Sequence, residues 1–137
     1  MHKPEGLVPG FIPADLVADG LIFHFSMARL RPDSIAWKRK AAIRVLEVLA
    51  DHAYAILGGD VLRLSGDQLD YNGDYWDLPD EDVVLWEEYV EYTKERSIAF
   101  IEDMARSKGA ELLFTMFFID ERDYRKQIRD FGNLSYR

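Results

Sequence analysis

The chain has 137 residues, 48% of them hydrophobic and 13% aromatic: one domain's length, with enough apolar surface for a single core. It contains no cysteine, which excludes disulfides, thiolate metal sites and cysteine nucleophiles together, as a reducing compartment permits. The formal net charge of −8 argues against a nucleic-acid surface, because that affinity comes mainly from Lys and Arg neutralising phosphates.

Residues 1–33 read as a lead-in. Prolines at 4, 9 and 13 punctuate its start, which has no apolar h-region and so does not resemble a secretory signal. No run in the chain approaches the roughly 18 apolar residues of a membrane span, so a cytoplasmic protein without membrane contact is expected. Leu21, Phe23, Phe25 and Met27 alternate with less apolar neighbours, the pattern of a half-buried strand.

From Asp33 the period changes. Asp33 or Ser34 suits an amino-terminal cap, and Ile35, Ala42, Val45, Leu46, Leu49 and Ala53 recur at three-to-four spacing, which predicts a helix over about 34–52. Lys38, Arg39, Lys40 and Arg44 lie around its outer side as a solvated face. Two short β-forming runs follow at 54–57 and 61–64, split by Gly58, Gly59 and Asp60. That split predicts either a bulged hairpin or one sharply bent strand. Ser65–Gly66–Asp67 signals a second turn. A short strand at 69–71 and a third turn at Asn72–Gly73 come next.

Asp80 and Asp82 fit the positive end of a long helix that closes at Lys108 and Gly109. Trp86, Val90, Thr93, Ser97, Phe100, Ile101 and Met104 trace its buried stripe, while Glu87, Glu88, Glu91, Glu95 and Glu102 occupy much of the rest. Residues 112–119 (LLFTMFFI) are apolar on both faces and predict a central strand. Asp120 then caps a last short helix to Phe131, and residues 120–137 form a more basic helix and tail. The whole reads as α+β: a small, mainly antiparallel sheet with two main helices packed on it.

The charge is regional. Residues 60–104 hold fourteen Asp/Glu against Arg63, Lys94 and Arg96. Such a field repels nucleic acid and speeds encounter with basic partners. Asp70, Asn72, Asp74 and Glu81 fall at positions of a calcium-loop register, but Tyr75 stands where that loop needs glycine, so no metal is expected. No cofactor motif is present: Gly58–Gly59 lacks the Lys-Ser/Thr of a phosphate cradle. Histidines occur only at 2, 24 and 52, which offers little for a nucleophilic triad. Asp60 with Asp70 or Asp74 would serve a glycosidase-like hydrolase as paired carboxylates, with Tyr71, Tyr75 and Trp76 as sugar platforms. Aspartates in successive turns more often accept backbone amides.

A binding surface fits better. Acids around rigid aromatic anchors combine steering with contact area, which points to Asp70, Asp74, Tyr75, Trp76, Asp77, Glu88, Glu91 and Glu95. Trp76 is equally compatible with the core. A general interaction module within a larger assembly is a further alternative.

Four pieces of the chain are distinctive together: AIRVLEVLADHAYAILGGDVLRL, then LDYNGDYWD, then WEEYVEYTKERSIAFIEDM and LLFTMFFI. Over residues 34–119 they resemble the Immunity protein 40 family of bacterial polymorphic toxin systems, with ILGGDV after a helix as the most specific piece. The resemblance implies an α+β, non-enzymatic inhibitor of a cognate toxin protein, with Gly58, Gly59 and Asp60 as the family-like motif. If that toxin is a basic nuclease, charge mimicry would occupy its nucleic-acid surface. The residues themselves suggest that the motif specifies the fold, with glycines at a positive-φ bend and Asp60 satisfying amides there.

Overall fold

The computed structural model describes residues 8–24, 33–66, 68–78, 85–108 and 111–131. In chain order the elements are α1 (Ala14–Asp19), β1 (Leu21–His24), β2 (Asp33–Lys38), α2 (Arg39–Asp51) and β3 (Ala55–Ser65). They continue with β4 (Gln68–Asp77), α3 (Trp86–Lys108), β5 (Leu112–Phe114), β6 (Phe117–Ile119) and α4 (Glu121–Phe131). The strands form one sheet in the order β1-β2-β5-β3-β4, with β6 also on β3. The pairings described are all antiparallel, so the fold is α+β as expected.

Strand alternation divides the core. Trp37, Phe114 and Val61 stand opposite one another across β2, β5 and β3. They meet Ala42, Val45, Leu46 and Leu49 of α2 and Ile101 and Met104 of α3 in the main cluster. Ala36, Leu62 and Leu113 point to the other face and form a small cluster of their own. A third cluster joins Ala55 and Leu57 to Trp86, Tyr89, Val90, Phe117, Ile119 and Tyr124, where α3 begins and α4 docks. Both main helices therefore lie on one side of the sheet, against each other.

Several expected boundaries move. The helix predicted over 34–52 is divided, because 33–38 form β2, held between β1 and β5. Ile35 and Trp37 share a face at a two-residue period, and the Trp37 indole N–H donates to the Leu16 carbonyl at 2.7 Å. Asp33 and Ser34 thus lie in a strand, and α2 starts after Lys38 without a side-chain cap. At its other end Ala53 is not on the buried stripe. It is exposed at φ 63, and its N–H and that of Tyr54 donate to Ala50 and Leu49 carbonyls. Those two bonds are the reverse turn that glycine usually makes after a helix.

Residues 55–65 form a single bulged strand, as the bent-strand alternative required. The turn expected at Asn72–Gly73 is instead a bulge inside β4. Residues 112–119 are two strands, not one: β5 is central between β2 and β3, and β6 resumes on β3 after Thr115 and Met116. Asp120 caps α4 as predicted, accepting the Asp123 N–H at 2.9 Å. The lead-in contributes to the core through Ile12 and Leu16. Phe25, Met27, Asp80, Asp82 and Gly109 lie outside the described residues.

Candidate partner-binding site

The Gly58–Gly59–Asp60 step sits at the middle of β3. Gly58 has φ 149, a conformation that side chains rarely adopt, beside a register irregularity with β6. Gly59 is needed for space: a Cβ there would overlap the Thr115 carbonyl oxygen and the Trp76 ring. Asp60 is fully buried. Its backbone N–H donates to Thr115 Oγ1 at 3.1 Å, and its carbonyl accepts the Thr115 N–H at 3.0 Å. The motif thus joins β3 to the break between β5 and β6. Thr115 is a site residue that the sequence reading passed over, although a hydroxyl inside an apolar run must find hydrogen bonds if it is buried.

Across from this step, β4 carries the acidic and aromatic residues. Asp60 pairs in register with Tyr75, and Leu62 pairs with Tyr71. Between these pairs Val61 alone of β3 faces Asn72, Gly73 (φ 93) and Asp74 of β4, so β4 carries two extra residues as a bulge. The sequence signal at Asn72–Gly73 was a turn signal, and the chain spends it on a bulge.

The bulge decides which side chains share a face. Trp76, opposite Gly59, points toward the helices: it is 6% exposed, stacks on Phe100 at 4.8 Å, and donates its indole N–H to Ser97 Oγ at 3.0 Å. Of its two compatible roles, the structure gives Trp76 the core one. Tyr71 and Tyr75, opposite Leu62 and Asp60, take the other face of the sheet and are 39% and 51% exposed. Asp77, two residues after Tyr75, joins them on that face and is exposed. Asp70 is exposed opposite Arg63, and Asp74 is half-buried in the bulge. Within the described sheet β4 is an edge strand.

The glutamates form a second group on the helical side of the sheet, opposite the face that carries Tyr71, Tyr75 and Asp77. Glu88, Glu91 and Glu95 are exposed on α3, away from the stripe that faces the sheet. Glu91 pairs with Lys94 at 3.0 Å. That hydrogen bond holds the Lys94 ammonium above the ordinary lysine value, and Asp51 and Glu47 of α2 add to the effect against a smaller loss from burial. Asp51 and Glu47 of α2 thus act on the same lysine as Glu91 of α3, while the acids of β4 stand at the sheet edge. On α4, Arg125 pairs with Glu121 and Lys126 with Asp130, so its basic residues are offset locally.

A paired-carboxylate hydrolase finds little support in this arrangement. Asp60 is closed off from solvent, and Asp70 stands opposite Arg63, three residues along β3 and so on the other face. Asp70, Asn72 and Asp74 of the calcium register are likewise laid out along a strand, and Glu81 lies outside the described residues. Among the described residues no group of three or more His, Asp or Glu is placed to hold a metal ion, and no helix is long and apolar enough to cross a membrane.

The sequence model of the Immunity protein 40 family matches residues 26–118. The chain belongs to that family. The match spans the Gly58–Gly59–Asp60 step, all of β4 and all of α3, so both acidic groups lie inside the family's own region. No curated protein and no solved structure matches the chain.

Proposed function

We propose that this immunity protein neutralises a cognate toxin of a bacterial polymorphic toxin system by direct, non-catalytic binding in the cytoplasm. The single observation that carries the reading is the composition of β4: two exposed tyrosines and exposed aspartates on an edge strand, braced from beneath by buried Trp76. Tyrosine supplies rigid contact area with few torsions to freeze, and surrounding carboxylates steer a basic partner toward it. Glu88, Glu91 and Glu95 extend the field over the helical layer. A nuclease with a basic nucleic-acid groove is the toxin class that such a surface fits, by charge mimicry.

Co-expression with the neighbouring toxin gene tests this. The expected result is restored growth together with a nanomolar-class complex on co-purification. Charge reversal at Asp74, Asp77, Glu88 or Glu91 is expected to weaken the complex without unfolding the protein. Complete indifference to all four reversals would remove the acidic surface from the account.

A further inference from the structure

The spacing of the two β4 tyrosines suggests a more specific contact. In a regular strand, residues four apart stand roughly 13 Å apart. Here the bulge draws Tyr71 and Tyr75 opposite Leu62 and Asp60, which are only two residues apart on β3. Their backbone positions are then about 7 Å apart on one face. A flat cation stacked between two rings needs roughly that separation, since each ring attracts a cation within about 6 Å of its centre. Asp77 continues the same face, so a carboxylate stands at the end of the aromatic row.

We infer that Tyr71 and Tyr75 form a clamp for an arginine of the toxin, with Asp77 as the carboxylate that draws it in. This rests on the proposed function and names the partner chemistry of its site. Arginine fits better than lysine because a guanidinium is planar, weakly hydrated and able to stack while its edge donates to a carboxylate. The fourteen acids against three bases over residues 60–104 supply the complementary charge. The glutamates of α3 act at longer range, on the rate of encounter.

Calorimetric titration of the full chain with nona-arginine and nona-lysine peptides tests the clamp without the toxin. Nona-arginine is expected to bind about tenfold more tightly than nona-lysine, a preference that Tyr71→Ala/Tyr75→Ala abolishes and Tyr71→Phe/Tyr75→Phe largely keeps. Equal binding of the two peptides, or a preference that survives the alanine pair, overturns the clamp. So does a native chain that self-associates through these tyrosines and becomes monomeric in the alanine pair, since a second copy would then be the occupant. A toxin that ignores the native chain overturns the proposed function instead, and the peptide result still decides the clamp.

Discussion

Gly59 and Trp76 face each other across β3 and β4, and the ring fills the space that any side chain at Gly59 would need. Trp76 enters the core over Gly59, and strand alternation puts its neighbours Tyr75 and Asp77 on the other face. The Gly58–Gly59–Asp60 step therefore bears on the candidate binding strand through packing, without itself reaching solvent.

Gly59→Ala is expected to destabilise the fold by about 1–3 kcal/mol, because a methyl group must push the Thr115 backbone or the Trp76 ring aside. Denaturant unfolding monitored by tryptophan fluorescence measures it. A variant as stable as the native chain would show that the contact is looser than described.

Ser97→Ala removes the acceptor of the buried Trp76 indole N–H. The expected loss is about 1–3 kcal/mol, the range for a buried donor left without a partner. Ser97→Ala/Trp76→Phe should lose less than the sum of its single variants, since the second change removes the stranded donor. Additive losses in the unfolding free energies would contradict the coupling.

Ala53→Gly should stabilise the protein by about 1 kcal/mol. Ala53 holds φ 63 in the turn that ends α2, a conformation that strains any Cβ and that glycine reaches freely. The Ala53 carbonyl, which accepts the Trp86 indole N–H at 2.7 Å, is unchanged by the substitution. A higher melting temperature is the readout.

Lys94 gives a pH dependence. Its pKa is raised in the folded state, chiefly by the hydrogen bond to Glu91, so its contribution to stability is fully present below the ordinary value of 10.5. That contribution is lost as pH rises through the higher folded value. Carbon-detected NMR of the lysine side chains should find Lys94 titrating above 10.5, and Glu91→Gln should move it down. An unchanged titration in Glu91→Gln would assign the effect to Asp51 and Glu47 instead.

The long helix was legible because its stripe repeats over about five turns: Trp86, Val90, Thr93, Ser97, Ile101 and Met104 are buried as their spacing required, and Phe100 is half-buried. Tyr89 was missed because it lies beside that stripe and is buried by α4, which no local pattern shows. The boundary between β2 and α2 was hidden because Ile35 falls seven residues before Ala42, a helical spacing, while its strand pairing with β1 depends on distant residues. For the candidate site, composition singled out the acidic and aromatic residues that lie on β4. The face of each side chain depended on the extra residues at Asn72–Asp74, and local sequence reads such a bulge as a turn. That is why Trp76 was equally compatible with surface and core, and why the two tyrosines were not recognised as a pair.

The most direct test of the central claim is isothermal titration of the purified protein with a cognate toxin domain, in low and in high salt. The account predicts a one-to-one complex whose affinity falls as salt rises and falls further in Asp77→Lys. A toxin that stays unbound, or a complex indifferent both to salt and to that reversal, would contradict it.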